Sequence, residues 1–104
     1  MGYKIVITLE AKEDLERFIR YLAVEKENIQ AAKSLLDDFE LTKDKLTYVA
    51  KSLKKCDNSK LKELGYRRIN FSRHRYFILY RIDGDVVFID NIFHELQDYE
   101  NKMH

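Results

Sequence analysis

The sequence predicts an α+β fold of order β-α-α-β-β-β: a mostly antiparallel four-stranded sheet with two helices, or three, on one face. Three observations carry this reading. Apolar residues recur at helical spacing through the first half. Three short runs rich in β-branched and aromatic residues follow in the second half. An Asp-Gly pair, Asp83-Gly84, joins the last two of those runs, as in a two-residue hairpin.

The elements follow in order. Tyr3 to Leu9 (YKIVITL) is short and β-branched, which predicts a strand. From Glu10 to Glu25 the period changes: Ala11, Leu15, Phe18, Ile19 and Leu22 fall on one side of a helix, with Lys12, Glu13, Glu16, Arg17 and Arg20 on the other. Asn28 is a candidate N-cap for a second helical stretch. Its apolar stripe runs through Ile29, Ala32, Leu36, Phe39, Leu46, Val49, Ala50 and Leu53. Lys43 interrupts the stripe, and Glu40-Leu41-Thr42 is a candidate break. One long helix and two shorter ones both fit.

Cys56-Asp57-Asn58-Ser59 is turn chemistry. A short helical turn or loop from Lys60 to Leu64 ends at Gly65. The strand-like runs are Tyr66 to Phe71, Arg75 to Ile82 and Val86 to Phe93. The acidic tail from Glu95 to His104 reads as a frayed helix or an irregular extension.

Length and composition narrow the classes. With 104 residues the chain is expected to form one domain, 1–104. Seven Tyr and six Phe exclude a disordered chain. No apolar run approaches the roughly 20 residues of a membrane span, and no signal-peptide pattern opens the sequence. The single Cys leaves no internal disulfide, so a cytoplasmic setting is expected.

The net charge of +1 hides a strong asymmetry. Residues 1–50 carry 8 basic and 10 acidic side chains, a net of −2. Residues 51–82 carry 10 basic and 2 acidic, a net of +8. Residues 83–104 carry 1 basic and 6 acidic, a net of −5. The middle third therefore either meets a polyanion or pairs with the acidic end. Lys60, Lys62, Arg67, Arg73 and Arg81 are its candidate contacts to nucleic acid or another target.

Taking Asp83-Gly84 as the loop puts Ile82 across from Asp85. One face of the ribbon then holds Tyr76, Ile78, Tyr80 and Ile82 with Val87, Ile89, Asn91 and Phe93, under the helices. The other holds Arg75, Phe77, Leu79 and Arg81 with Val86, Phe88, Asp90 and Ile92. One further step sets Arg73 opposite His94 on this second face. Its apolar centre (Phe77, Leu79, Val86 and Phe88) predicts a cover: a partner chain, a second copy or the acidic tail. Arg73, Arg75 and His94 would gather at one end, with Arg67 or Arg68 on the neighbouring strand. Arginines that clamp a phosphate and a histidine that exchanges a proton are the parts needed to cleave a phosphodiester.

Other chemistries find no pattern. The three His and one Cys lack zinc spacing, and there is no Gly-rich phosphate loop. Ser72 and His74 do not form a nucleophile pair. No metal or other cofactor is expected.

Leu61 to Glu100 resembles the RelE/ParE superfamily of bacterial type II toxins. The resemblance rests on Leu64-Gly65-Tyr66-Arg67, on His74-Arg75 through Tyr80-Arg81, on the turn Asp83-Gly84-Asp85, and on Ile92-Phe93-His94 followed by Gln97-Asp98-Tyr99. It implies a RelE/ParE-like fold and a growth-arresting toxin of a plasmid-stabilisation type of module, neutralised by a cognate antitoxin that wraps its apolar and basic surface. Phe77, Leu79, Val86 and Phe88 are the expected antitoxin contacts. RelE-like members cut mRNA on the ribosome, and that mechanism would employ Arg75, His94, Arg68 and Tyr99. ParE-like members inhibit DNA gyrase and cut no RNA. Glu95 stands where histidine-using nucleases of this kind place a Tyr, and the H-x-x-Q-D-Y ending is closer to ParE-like sequences. Both mechanisms stay open at this level, as does a nontoxic relative that keeps only the protein-binding surface.

Overall fold

The computed structural model describes residues 2–96. The tail beyond, with Tyr99, Asp98 and Glu100, lies outside the described residues.

The chain runs β1 (Lys4–Ile7), α1 (Leu9–Arg20), α2 (Ile29–Val49), α3 (Ser59–Glu63), β2 (Arg67–Asn70), β3 (Tyr76–Asp83) and β4 (Val86–His94). The four strands form one sheet in the order β1-β4-β3-β2. β1 lies parallel to β4, and the other two pairings are antiparallel.

The Thr8 hydroxyl caps α1 by accepting the Ala11 amide at 3.2 Å and donates to Ile89 O at 3.0 Å, so one side chain starts the helix and pins it to β4. α1 closes in a π-type turn, Tyr21–Glu25. The chain then reverses at Glu27, whose φ of 49° is a left-handed conformation that suits glycine better. Asn28 caps α2 as its side chain suggests, accepting the Ala31 amide at 2.9 Å.

α2 is one continuous helix that runs on into a 3₁₀ turn, Ala50–Ser52. Its buried stripe is Ala32, Leu35, Asp38 with adjacent Phe39, Thr42, Leu46 and Ala50, otherwise at spacings of three and four. Ile29 and Leu36, expected inside, are 63 % and 40 % exposed. The true stripe passes one residue to the side of Leu36 and takes in two polar side chains, which a purely apolar template skips. Thr42 satisfies itself by donating to Asp38 O at 2.7 Å.

The main core lies between the helix pair and the inner sheet face, around Leu35, Phe39, Leu46, Ile78, Tyr80, Val87, Ile89 and Ile92. A smaller core lies on the outer face, where Cys56, Leu61 and Tyr66 pack on Phe77, Leu79 and Phe93. The outer face is expected to be covered by a partner chain, a second copy or the acidic tail; at its centre the cover is instead α3 and the loop before it. The segment Cys56 to Gly65 was legible as a turn and a short helical turn or loop but not as a lid, because only Cys56 and Leu61 of its apolar residues are buried, while Leu64 is exposed.

The hairpin register also differs from the expected one. The loop is Gly84-Asp85, with Asp83 paired to Val86 and Gly84 supplying a φ of 64°. From Asp83 to Tyr80 the partition of faces is unchanged, because the slip is an even number of positions. Between Tyr80 and Leu79 the partner jumps from Ile89 to Asn91, so Asp90 is an extra residue in β4. Beyond this bulge the parity inverts: Ile78 pairs with Ile92, Phe77 with Phe93 and Tyr76 with His94. Ile92 joins the inner core, and Phe93 the outer one.

Candidate functional site

Two buried carboxylates hold the far end of the ribbon. Asp14 on α1 accepts the Ile92 amide at 3.0 Å and the Asn91 side-chain amide at 3.2 Å, just past the bulge, while Arg17 donates to it at 2.8 Å. Asp38 on α2 accepts the amides of Ser72 at 3.1 Å and Arg73 at 2.8 Å, and its Oδ2 lies 2.7 Å from His74 Nδ1. Burial alone would raise the Asp38 pKa. The hydrogen bonds from His74 and from the Arg73 and Ser72 amides, with the His74 charge, outweigh it and hold the carboxyl below its ordinary range. Neither carboxylate stands out in the sequence, since each is one acid among many on a helix.

His94 follows the inverted parity. Its ring stands edge-on to Tyr76, with centroids 4.9 Å apart, on the side of α1. Its Nδ1 accepts the Leu96 amide at 3.1 Å, so the neutral ring carries its proton on Nε2. Together with Arg17, Phe18, Tyr21, Tyr76 and Leu96 it lines a cavity of about 460 Å³. Arg75 is exposed, and its carbonyl accepts the Glu95 amide at 2.8 Å, continuing the ladder. It sits in the bend just before β3, so the alternation of that strand does not set its side chain beside His94. The expected cluster of Arg73, Arg75 and His94 on one face is thus not formed. Arg73 belongs instead to the loop tied down by Asp38, where its own side chain is exposed.

Arg68 and Arg81 do reach the outer face. The Arg68 guanidinium lies 3.7 Å over the Phe77 ring and donates to Asn70 Oδ1, at 2.8 Å from Nη2. Arg81 lies 4.4 Å over Phe88 and donates from Nε to Asp90 at 2.8 Å. Asp90 also accepts the Tyr66 hydroxyl at 2.9 Å. Burial, then the Asp90 hydrogen bond and charge, push the Tyr66 pKa up to about 12 against an opposing effect of Arg81. The extra residue of the bulge is therefore an anchor for two side chains from β3 and the approach to β2.

Of the expected antitoxin contacts, Phe77 and Leu79 are fully buried beneath α3 and offer no surface in this conformation. Val86 and Phe88 remain half-buried near the hairpin. Lys60 and Lys62 are exposed on α3. Arg67 faces inward beside Tyr80, its register partner, and not outward with Arg68. Among the described residues no group of three His, Cys, Asp or Glu side chains could hold a metal ion, and no helix is long and apolar enough to cross a membrane.

The family model for the ParE toxin of the type II toxin-antitoxin system parDE matches residues 5–99, nearly the whole chain. The chain belongs to the ParE toxin family. Its fold is similar to that of a chain in the chromosomal ParDE toxin-antitoxin system from P. aeruginosa, with a TM-score of 0.69 and 18 % sequence identity, covering 89 % of this chain and 96 % of that one. No curated protein matches the sequence. Both the resemblance read from the hairpin motifs and the α+β architecture agree with these findings. This ParE-family toxin thus carries the family's sheet, with its arginines dispersed over both faces.

Proposed function

We propose that this ParE-family toxin acts in the cytoplasm by binding DNA gyrase, cuts no RNA, and is neutralised by a cognate antitoxin. The observation that carries this reading is the separation of His94 from the outer-face arginines. Phosphodiester cleavage needs a base beside the 2′-hydroxyl and cations beside the developing negative charge. Here the imidazole packs on Tyr76 beside α1, while Arg68 and Arg81 are stacked on Phe77 and Phe88 across the sheet. Both arginines are held by acceptors of the chain itself, Asn70 and Asp90. Such cations shape a surface for a protein partner. Val86 and Phe88, capped by Arg81, are the part of the expected antitoxin patch that stays accessible, and we assign them that contact.

The test uses the purified full-length chain in two assays. Added to gyrase with relaxed plasmid, it stops supercoiling, and the antitoxin restores it. Added to translating ribosomes, it leaves mRNA intact by primer extension. Codon-phased cuts with unaffected supercoiling would overturn the proposal in favour of ribosome-dependent cleavage. Harmless expression at verified folded levels, with neither effect, would reduce the chain to a nontoxic relative.

A further inference from the structure

We infer that an inward-facing basic pocket binds a phosphate monoester. It lies at the hairpin end of the sheet, on the opposite side from Arg68 and Arg81. Its volume is about 240 Å³, and Tyr3, Lys51, Lys55, Arg67 and Ile82 line it. Three long-range features build it. The 3₁₀ turn after α2 supplies Lys51. Lys55 pairs through its backbone with Arg67, while the Cys56 amide donates to Tyr66 O at 2.9 Å, so this loop adds a short edge beside β2. The Tyr3 amide donates to Thr47 O at 2.9 Å, which holds the first residues against the end of α2.

Charge and hydrogen bonding both point to an anion. Three cations line the pocket, and among the described residues no carboxylate does. None of the three makes an ion pair among the described residues. The Arg67 Nε is buried and has no hydrogen-bond partner among the described residues, whereas Arg68 and Arg81 have each found an acceptor. Buried polar groups left without partners are uncommon enough to call for an explanation. A guanidinium with one N–H unsatisfied gains by turning its Nε–Nη edge to a two-oxygen acceptor. A phosphate monoester carries a charge of about −1.5 to −2 and three strong acceptor oxygens. That matches one forked and two point-charge donors better than a carboxylate, which brings one charge and two oxygens. The volume admits a phosphate with part of the group that it esterifies, and the Tyr3 ring is a surface for that group. The ester can come from a free nucleotide or from the phosphorylated end of a nucleic-acid strand.

The side-chain Nε–H resonance of Arg67 in the ¹⁵N-labelled full-length chain reads the site directly. Inorganic phosphate and adenosine monophosphate should each move it saturably. K51Q and K55Q should weaken that response about tenfold each, with the backbone amide spectrum retained. A 5′-phosphorylated oligonucleotide that binds more tightly than the mononucleotide, with its 5′-hydroxyl counterpart silent, assigns the site to strand ends; the reverse order assigns it to free nucleotides. No saturable movement, an equal movement with glutarate or with chloride at matched ionic strength, or unchanged affinity in both lysine variants would overturn the inference.

Discussion

The two halves of the β3–β4 ribbon obey different rules. Near the Gly84-Asp85 turn, local chemistry decides: a glycine with positive φ fixes the loop, and alternation sorts Ile82 and Tyr80 inward and Arg81 outward. Past Asp90 the helices decide. Asp14 takes the Ile92 amide at the bulge, Asp38 takes the amides of the β2–β3 loop, and every side chain from Ile92 to His94 sits on the face opposite to the one that a plain ladder assigns. A turn signal is therefore reliable for about four residue pairs here. Beyond them, one inserted residue relocates His94, the histidine expected to meet the arginines.

Breaking the far half should cost most at its most buried anchor. D38A leaves two loop amides and His74 without an acceptor and should destabilise the fold by about 3–5 kcal/mol, the range for removing one partner of a buried charged network. Denaturant unfolding measures it. D14A loses the clamp on the bulge but leaves partly exposed Arg17, and should cost less, about 2–3 kcal/mol; amide exchange should then speed up at Ile92 and not at Val87. If the two variants loosen the near half as much as the far half, the division proposed here is wrong.

Acid should sharpen the same contrast. The Asp38 carboxyl is depressed in the folded state, so its contribution is present above the ordinary carboxylate pKa of about 4 and is lost as pH falls from there through its folded value. Exchange at Ser72 and Arg73 should rise over that acid range in the wild type. The D38N chain should lack this dependence.

The near half offers a smaller effect. R81A removes the stacking on Phe88 and one hydrogen bond to Asp90, while Tyr66 still donates to that carboxylate; about 1 kcal/mol is expected. The smallest change is a gain. Glu27 holds a φ of 49°, and E27G should stabilise the helical hairpin by about 0.5 kcal/mol, the relief of strain less the entropy of glycine.

Much of the fold was legible for physical reasons. Apolar period marked α1, Asn28 marked the start of α2, and β-branched runs marked all four strands. Polar residues inside the core were not legible, because Asp14, Asp38 and Thr42 look like surface residues until their partners, between 4 and 78 residues away, are known. The cover over Phe77 and Leu79 escaped for the same reason: α3 is five residues long and carries one buried leucine. For the site, Arg81 was legible as an outward-facing cation and Arg67 or Arg68 as its neighbour on the next strand, whereas the choice of Arg68 and the bulge that separates both from His94 were not. Lys51, Lys55 and Arg67 were visible as charge but not as neighbours, since their meeting depends on a backbone bridge between a loop and β2.

The most direct measurement is the set of nuclear Overhauser contacts from the His94 ring in the full-length chain. Contacts to the Tyr76 ring, with none to Phe77 or the Arg75 side chain, are predicted by the inverted far half. Contacts to Phe77 and Arg75 would restore an uninterrupted ladder, return the imidazole to the arginine face and contradict the reading of this toxin as one that only binds.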